Sequence, residues 1–264
     1  MGISEPIYGL IGKKLGHSFS KKHFTQKFAR EGITSQYELY EIPNIEDFLK
    51  LWEKYPRLKG LNVTIPYKAE VIPYLDRLTP EAFEVQAVNT IRRDKEGLIG
   101  FNSDIYGFWT SLEKFLEGHE PTKALVLGTG GAARAVAYVL EHFAKIPIIT
   151  YVSRRPTSPD HISYSDLATH GLEEFSLIVN TTPLGMYPDI SSAPQIPYDQ
   201  LTPQHFAYDL VYNPEETQFL SMAKARGAKI LNGLPMLIGQ AEKSWEFWNE
   251  EEGGVVRGNV VSRP

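Results

Sequence analysis

Short apolar runs alternating with stretches of helical spacing set the pattern of the chain. Ile7-Tyr8-Gly9-Leu10-Ile11 reads as a strand. Phe24 and Phe28 follow at the i, i+4 spacing of one helix face, with Ser20 as the expected N-cap and Gly32 as the stop. Tyr37–Ile42 predicts a second strand. Asn44 then caps a helix whose first turn holds Glu46 and Asp47, where the helix dipole favours negative charge. Leu58–Val63 predicts a third strand, ended by Thr64 and Pro66. Ala87–Arg92 and Leu98–Phe101 flank the turn Asp94-Lys95-Glu96-Gly97 and predict a hairpin.

The pattern changes after residue 104. Asp104 opens a helix running to about Leu116, punctuated by Gly118 and Pro121. The runs Ala124–Leu127, Ile146–Val152, Leu177–Asn180, Ala207–Val211 and Ala228–Leu231 follow, with the Ala-rich helix Ala132–His142 among them. Strands that are apolar throughout, alternating with helices, imply a parallel sheet covered on both faces. An amphipathic helix from Pro235 to about Asn249 carries Leu237, Ala241, Trp245 and Trp248. The fold class predicted is α/β with two domains, an N-terminal one of residues 1–104 with 233–264 and a Rossmann-like one of residues 105–232. The closing helix returns to the first domain. From Glu250 the chain is acidic, then Gly-rich, and reads as a loose tail.

Composition narrows the function classes. A chain of 264 residues can bury one large core or two modest ones. The formal net charge is −5 and the Lys and Arg residues are scattered, which argues against a nucleic-acid partner. There is no cysteine, so disulfides, thiolate metal sites and cysteine nucleophiles are excluded, and a cytoplasmic location fits. The seven histidines lack ligand spacing, so no metal is expected. No apolar run approaches the ~20 residues of a membrane span. Met1-Gly2 opens like a myristoylation signal, but Pro6 stands where Ser or Thr is required.

Gly128-Thr129-Gly130-Gly131-Ala132-Ala133 fits the dinucleotide fingerprint G-x-G-x-x-G/A, and it lies between a predicted strand and a predicted helix. Gly128 allows the tight turn, Gly130 lets the backbone approach a pyrophosphate, and Ala133 permits close helix–strand packing. Gly131 and Ala132 open the helix whose N-terminus attracts the phosphates. An NAD site expects an acid at the end of the next strand. Here that strand ends in Ser153-Arg154-Arg155-Pro156, with no Asp or Glu before Asp160. Two guanidiniums where a 2′-phosphate would lie favour NADP.

Polar groups also cluster at ends of the apolar strands. His17-Ser18-Phe19-Ser20, Asn62-Val63-Thr64-Ile65-Pro66-Tyr67-Lys68, Ala87-Val88-Asn89-Thr90 and Gly100-Phe101-Asn102-Ser103-Asp104 stand in the first half. Asn180-Thr181-Thr182-Pro183-Leu184-Gly185-Met186, Asp209-Leu210-Val211-Tyr212-Asn213-Pro214 and the stretch from Gly233 to Ala241 follow. In this order the seven blocks, covering about residues 7–248, resemble the shikimate dehydrogenase family. The resemblance implies reversible, NADPH-linked reduction of 3-dehydroshikimate to shikimate in chorismate and aromatic amino acid biosynthesis. It implies Lys68 and Asp104 as the catalytic pair, with Ser18, Ser20, Thr64, Asn89, Tyr212 and Gln240 holding the substrate. Thr181 and Gly233 join the cofactor-binding residues, and the assembly would be a monomer or homodimer.

Taken singly, these residues have plainer roles: Ser20 and Asp104 as helix caps, Lys68 as an exposed lysine, Tyr212 at a core edge, Gln240 on the surface. As an ordered set they favour the site reading. Hydride addition to a ketone leaves an alkoxide, so a proton donor must wait beside the oxygen, which suits a Lys held by a carboxylate. The sequence departs from the family at Ser103 (usually Thr), at Lys21 (often Pro) and at Ser153-Arg154-Arg155 (commonly Asn-Arg-Thr). Two alternatives stay open: a quinate/shikimate dehydrogenase using NAD or both cofactors, and a catalytically silent NADP-binding regulator.

Overall fold

A computed structural model describes residues 5–16 and 18–250. Met1, Gly2, His17 and the tail predicted beyond Glu250 lie outside the described residues. The chain forms two compact units, Met1–Ser103 with Ala241–Pro264 and Asp104–Gln240.

The first unit contains β1 (Ile7–Gly12), α1 (Phe19–Glu31), β2 (Gln36–Glu41), α2 (Phe48–Lys54), β3 (Leu58–Val63), α3 (Tyr67–Glu70), β4 (Arg77–Leu78), α4 (Pro80–Val85), β5 (Thr90–Asp94) and β6 (Gly97–Phe101). The strands make one sheet in the order β2-β1-β3-β5-β6-β4. β1 runs parallel to β2 and β3, and the predicted hairpin supplies the antiparallel pair β5 and β6. Because β5 is antiparallel to β3, the start of β5 lies beside the end of β3. Thr64, Lys68 and Asn89 therefore share one edge of the sheet. Ile11, Phe48, Leu61, Val71, Leu75 and Ile91 are fully buried in one core cluster, each contributing about 1.5–3 kcal/mol by burial.

Helix starts in the first unit differ from the sequence reading in two places. Ser18, not Ser20, caps α1: its backbone is extended and its Oγ accepts from the Lys21 N–H at 3.3 Å. Asn44 precedes a short 3-10 turn, Ile45–Asp47, without a side-chain cap bond, and α2 begins only at Phe48. Gly32 ends α1 as predicted, with φ at 65°.

The second unit runs α5 (Ser103–Leu116), β7 (Lys123–Leu127), α6 (Gly131–His142), β8 (Ile148–Val152), β9 (His161–Ile162), α7 (Tyr164–His170), β10 (Leu177–Asn180), β11 (Phe206–Asp209), α8 (Gln218–Lys224), β12 (Lys229–Leu231) and the first turns of α9 (Leu234–Asn249). The predicted parallel sheet is present, in the order β12-β11-β10-β7-β8-β9. Both faces are covered. Phe108 and Phe115 of α5 pack on Tyr208 and Phe206. On the opposite side, Leu167, Phe219 and Leu220 from α7 and α8 join Leu125, Leu127, Ile178 and Ala207. β9, α7 and α8 are additions to the predicted elements.

Residues 233–240, read from sequence as part of the N-terminal domain, group with the second unit instead. The reason is local. Gly107 of α5 lets α9 approach so closely that a Cβ there would stand 2.5 Å from the Met236 carbonyl oxygen. From Ala241 onward α9 belongs to the first unit, where Trp248 is fully buried and its indole N–H donates to Ile91 O at 3.0 Å. Gly60 faces that indole and has no room for a Cβ. Glu242 ties the same half of α9 to α1 through Lys27 at 2.7 Å and His23 at 2.8 Å. No described helix is long and apolar enough to cross a membrane.

Candidate active site

In the first unit, backbone bonds gather the predicted residues at the end of β3. Thr64 N–H donates to Ile11 O, Val88 N–H to Lys68 O at 2.7 Å, and Val63 N–H to Asn89 O at 2.8 Å. Lys68 lies in the single turn α3, which Tyr67 anchors by donating its phenol to Ile42 O at 2.7 Å. Thr64 and Lys68 are half-buried, and Asn89 is buried. The Asn89 Oδ1 accepts from Ser103 N–H at 2.7 Å, from Ser103 Oγ at 3.2 Å and from Thr90 Oγ1 at 3.1 Å. Its amide group Nδ2 faces the other way.

Ser18 and Ser20 lie at the start of α1, both half-buried. As a cap, Ser18 accepts the Lys21 N–H with a lone pair, which does not use its own hydroxyl proton. Ser20 adjoins the Tyr37 phenol, which burial pushes far above the ordinary tyrosine range while Ser20 pulls it back.

In the second unit, Asp104 sits inside the first turn of α5 rather than at a cap, because the helix already begins at Ser103. Tyr212 is 41% exposed, not a core-edge residue, and Gln240 is buried at 8% rather than on the surface. The Gln240 Nε2 donates to Leu237 O at 2.9 Å. The loop carrying Tyr212 is shaped by Asp209, a fully buried carboxylate that accepts from Val211 N–H, Asn180 Nδ2 and Thr217 Oγ1 at 3.0, 2.9 and 2.6 Å. Burial pushes its pKa up to about 6, against the pull of those three donors.

A cleft of about 830 Å³ opens where β7, β8 and β10 end. Gly128, Gly130, Ser153, Arg154 and Thr181 line it, joined by Thr182, Tyr164 and Gln195. Gly128 has φ at 106°, and a Cβ there would stand 2.9 Å from Thr181 Oγ1. Thr181 is held against the turn through Leu127 O, which accepts its N–H and its hydroxyl. Around Gly130, the N-cap of α6, a Cβ would meet open space, as close approach of a pyrophosphate requires. Gly131 and Ala132 open α6 and are exposed, while Ala133 is buried against the sheet. Arg155 lines a smaller hollow of about 580 Å³ with Ser153 and Arg154. The residues fit a dinucleotide with a 2′-phosphate. Gly233 is not among the cleft's lining residues. Its N–H donates to Val211 O, and a Cβ would collide with the Leu210 backbone.

Tyr164, Thr182 and Gln195 are cleft residues that the fingerprint did not single out. Tyr164 lies within the capping box of Ser163 and Asp166, a signal that would have revealed α7. Burial raises its phenol pKa, and the Arg154 guanidinium pulls it down.

Comparison with known proteins bears on the whole chain. "Shikimate dehydrogenase (NADP(+))" of Clostridium beijerinckii is 40% identical over 252 residues, which cover 92% of each chain. The chain belongs to the shikimate dehydrogenase family. Residues 10–91 match the family profile described as "Shikimate dehydrogenase substrate binding domain". Among solved shikimate dehydrogenases, the chorismate mutase/shikimate 5-dehydrogenase fusion protein from Clostridium acetobutylicum is 39% identical, with a TM-score of 0.83 over 95% of this chain and 94% of that one. Shikimate 5-dehydrogenase from Thermus thermophilus, solved with NADP(H) and shikimate, is 32% identical with a TM-score of 0.79 over 92% and 93%.

Proposed function

We propose that this chain is an NADP-dependent shikimate dehydrogenase that reversibly reduces 3-dehydroshikimate to shikimate. The observation that carries the cofactor choice is that Arg154 lines the same cleft as Gly128 and Gly130. A guanidinium there suits a 2′-phosphate, and the α6 N-terminus suits the pyrophosphate. When bound, the nicotinamide supplies or accepts the hydride.

The chain's own residues do the rest. Lys68 and Asp104 act on the ring ketone: the Lys68 ammonium stabilises the alkoxide that forms, and one of the pair delivers its proton. Ser18, Ser20 and Thr64 donate hydroxyl hydrogens to the substrate carboxylate. Asn89, Tyr212 and Gln240 bond the ring hydroxyls. Gly131, Ala132, Ser153, Arg155, Thr181 and Gly233 complete the cofactor set. We place the enzyme in the cytoplasm, as a monomer or homodimer, with residues 1–104 and 233–264 serving the substrate and 105–232 the cofactor.

The deciding assay follows NADPH formation with shikimate, then repeats it with quinate and with NAD. Turnover with shikimate and NADP well above the other combinations is the expected result. Equal turnover of quinate with NAD would make the chain a quinate/shikimate dehydrogenase. NADP binding without turnover would make it a silent regulator.

A further inference from the structure

Behind Asn89 lies a set of buried polar groups from five elements: Tyr37 on β2, Asn62 on β3, Thr90 on β5, Ser103 at the start of α5 and Ser244 on α9. Asn62 Nδ2 donates to Ser244 Oγ at 2.9 Å, to Thr90 Oγ1 at 3.2 Å and to the Asn89 carbonyl at 3.2 Å, while Asn62 Oδ1 accepts from the Tyr37 hydroxyl at 2.8 Å. The three hydroxyls touch one another, with Ser244 Oγ 2.8 Å from Thr90 Oγ1 and 3.0 Å from Ser103 Oγ.

Two backbone groups fix the direction of hydrogen donation through this set. The Asn89 carbonyl can only accept, so the atom of Asn62 facing it must be the amide nitrogen. The Ser103 N–H can only donate, so the atom of Asn89 facing it must be the oxygen. Hydrogens thus run from Asn62 into the hydroxyl trio and out to Asn89 Oδ1, which leaves the Asn89 amide presenting nitrogen on its far side. Reversal of either amide would set two donors or two acceptors against each other in a buried site, which is costly.

We propose that Ser244 is a positioning residue for the reaction: by bridging Asn62 to Thr90 and Ser103 it holds the Asn89 amide as a hydrogen-bond donor toward shikimate. This rests on the reading of Asn89 as a substrate ligand. It also gives the last helix a second role, since Gln240 stands one turn before Ser244.

The test is a double-mutant cycle of Ser244→Ala and Asn89→Ala, measuring kcat and KM for shikimate and NADP. Ser244→Ala should raise the shikimate KM about fivefold, the effect of one hydrogen bond, with the NADP KM and kcat changed by no more than about twofold. In the Asn89→Ala background it should add nothing. Equal factors in both backgrounds, or an unchanged KM in the single variant, overturn the role of Ser244 alone. An unchanged shikimate KM in Asn89→Ala removes the substrate reading of Asn89, and the positioning role with it. If Ser244→Ala does not fold, Thr90→Val, nearly the same shape without the hydroxyl, takes its place with the same expected and overturning results.

Discussion

In the function proposed above, Lys68 serves the chemistry and Arg154 the cofactor choice, and single substitutions separate the two. Lys68→Ala should lower kcat by about 10²–10⁴ with a smaller change in the shikimate KM, as for a positioned acid–base group; near-normal kcat in steady-state assays would contradict its role. Arg154→Ala should weaken NADP by about 1.5–3 kcal/mol, one to two decades, and leave NAD almost untouched. Because the side chain is exposed, that contribution should shrink with added salt. Comparing kcat/KM for both cofactors at two ionic strengths checks it. Both residues are legible in the sequence because each lies within a short contiguous motif. The network behind Asn89 is not: Tyr37, Asn62 and Ser244 are distant from one another in sequence, and a buried Ser on a helix looks like any small residue until its neighbours are known.

Elements divide in the same way. Runs that are largely apolar, such as β7, β8, β10 and β11, and the longer periodic helix over 132–142 can be read directly. Elements of one turn or one ladder step, α3, α4, β4 and β9, have too few residues to show a period. The cap of α1 lies two residues before the one the sequence suggests, since Ser18 and Ser20 are both acceptable caps and only backbone conformation chooses. That choice has a measurable consequence. Ser18→Ala should cost about 1 kcal/mol of stability through the lost cap and raise the shikimate KM, whereas Ser20→Ala should raise KM with little loss of stability. Denaturant titration alongside saturation kinetics separates the two; equal stability losses would contradict the assignment of the cap.

For the whole molecule, Asp209 couples stability to pH. Its folded pKa, pushed up to about 6 by burial, lies above the ordinary carboxylate value of 3.8. The folded state therefore holds this proton more tightly than the unfolded chain. The stabilisation is fully present below pH 3.8 and is lost as pH rises through about 6. Over that window the loss is about 3 kcal/mol. Asp209→Asn, which cannot ionise, should lack this dependence, so its stability relative to the parent protein should improve from pH 4 to pH 7 in chemical unfolding. A parallel pH profile for the two proteins would show that Asp209 titrates normally.

The split of α9 between the units also orders events during synthesis. Ser244, Phe247 and Trp248 complete the interior of a unit whose other residues end at Ser103. A nascent chain displays the apolar surface around Tyr8 of β1 and Phe24 of α1 while everything between is still being translated. At about 5–20 residues per second that interval lasts roughly 7–30 s. The second unit, contiguous along the chain, has all its residues first and can fold ahead of the unit that precedes it. The two units thus become complete in an order opposite to their numbering, the opening segment lacking the last part of its interior until the indole of Trp248 arrives.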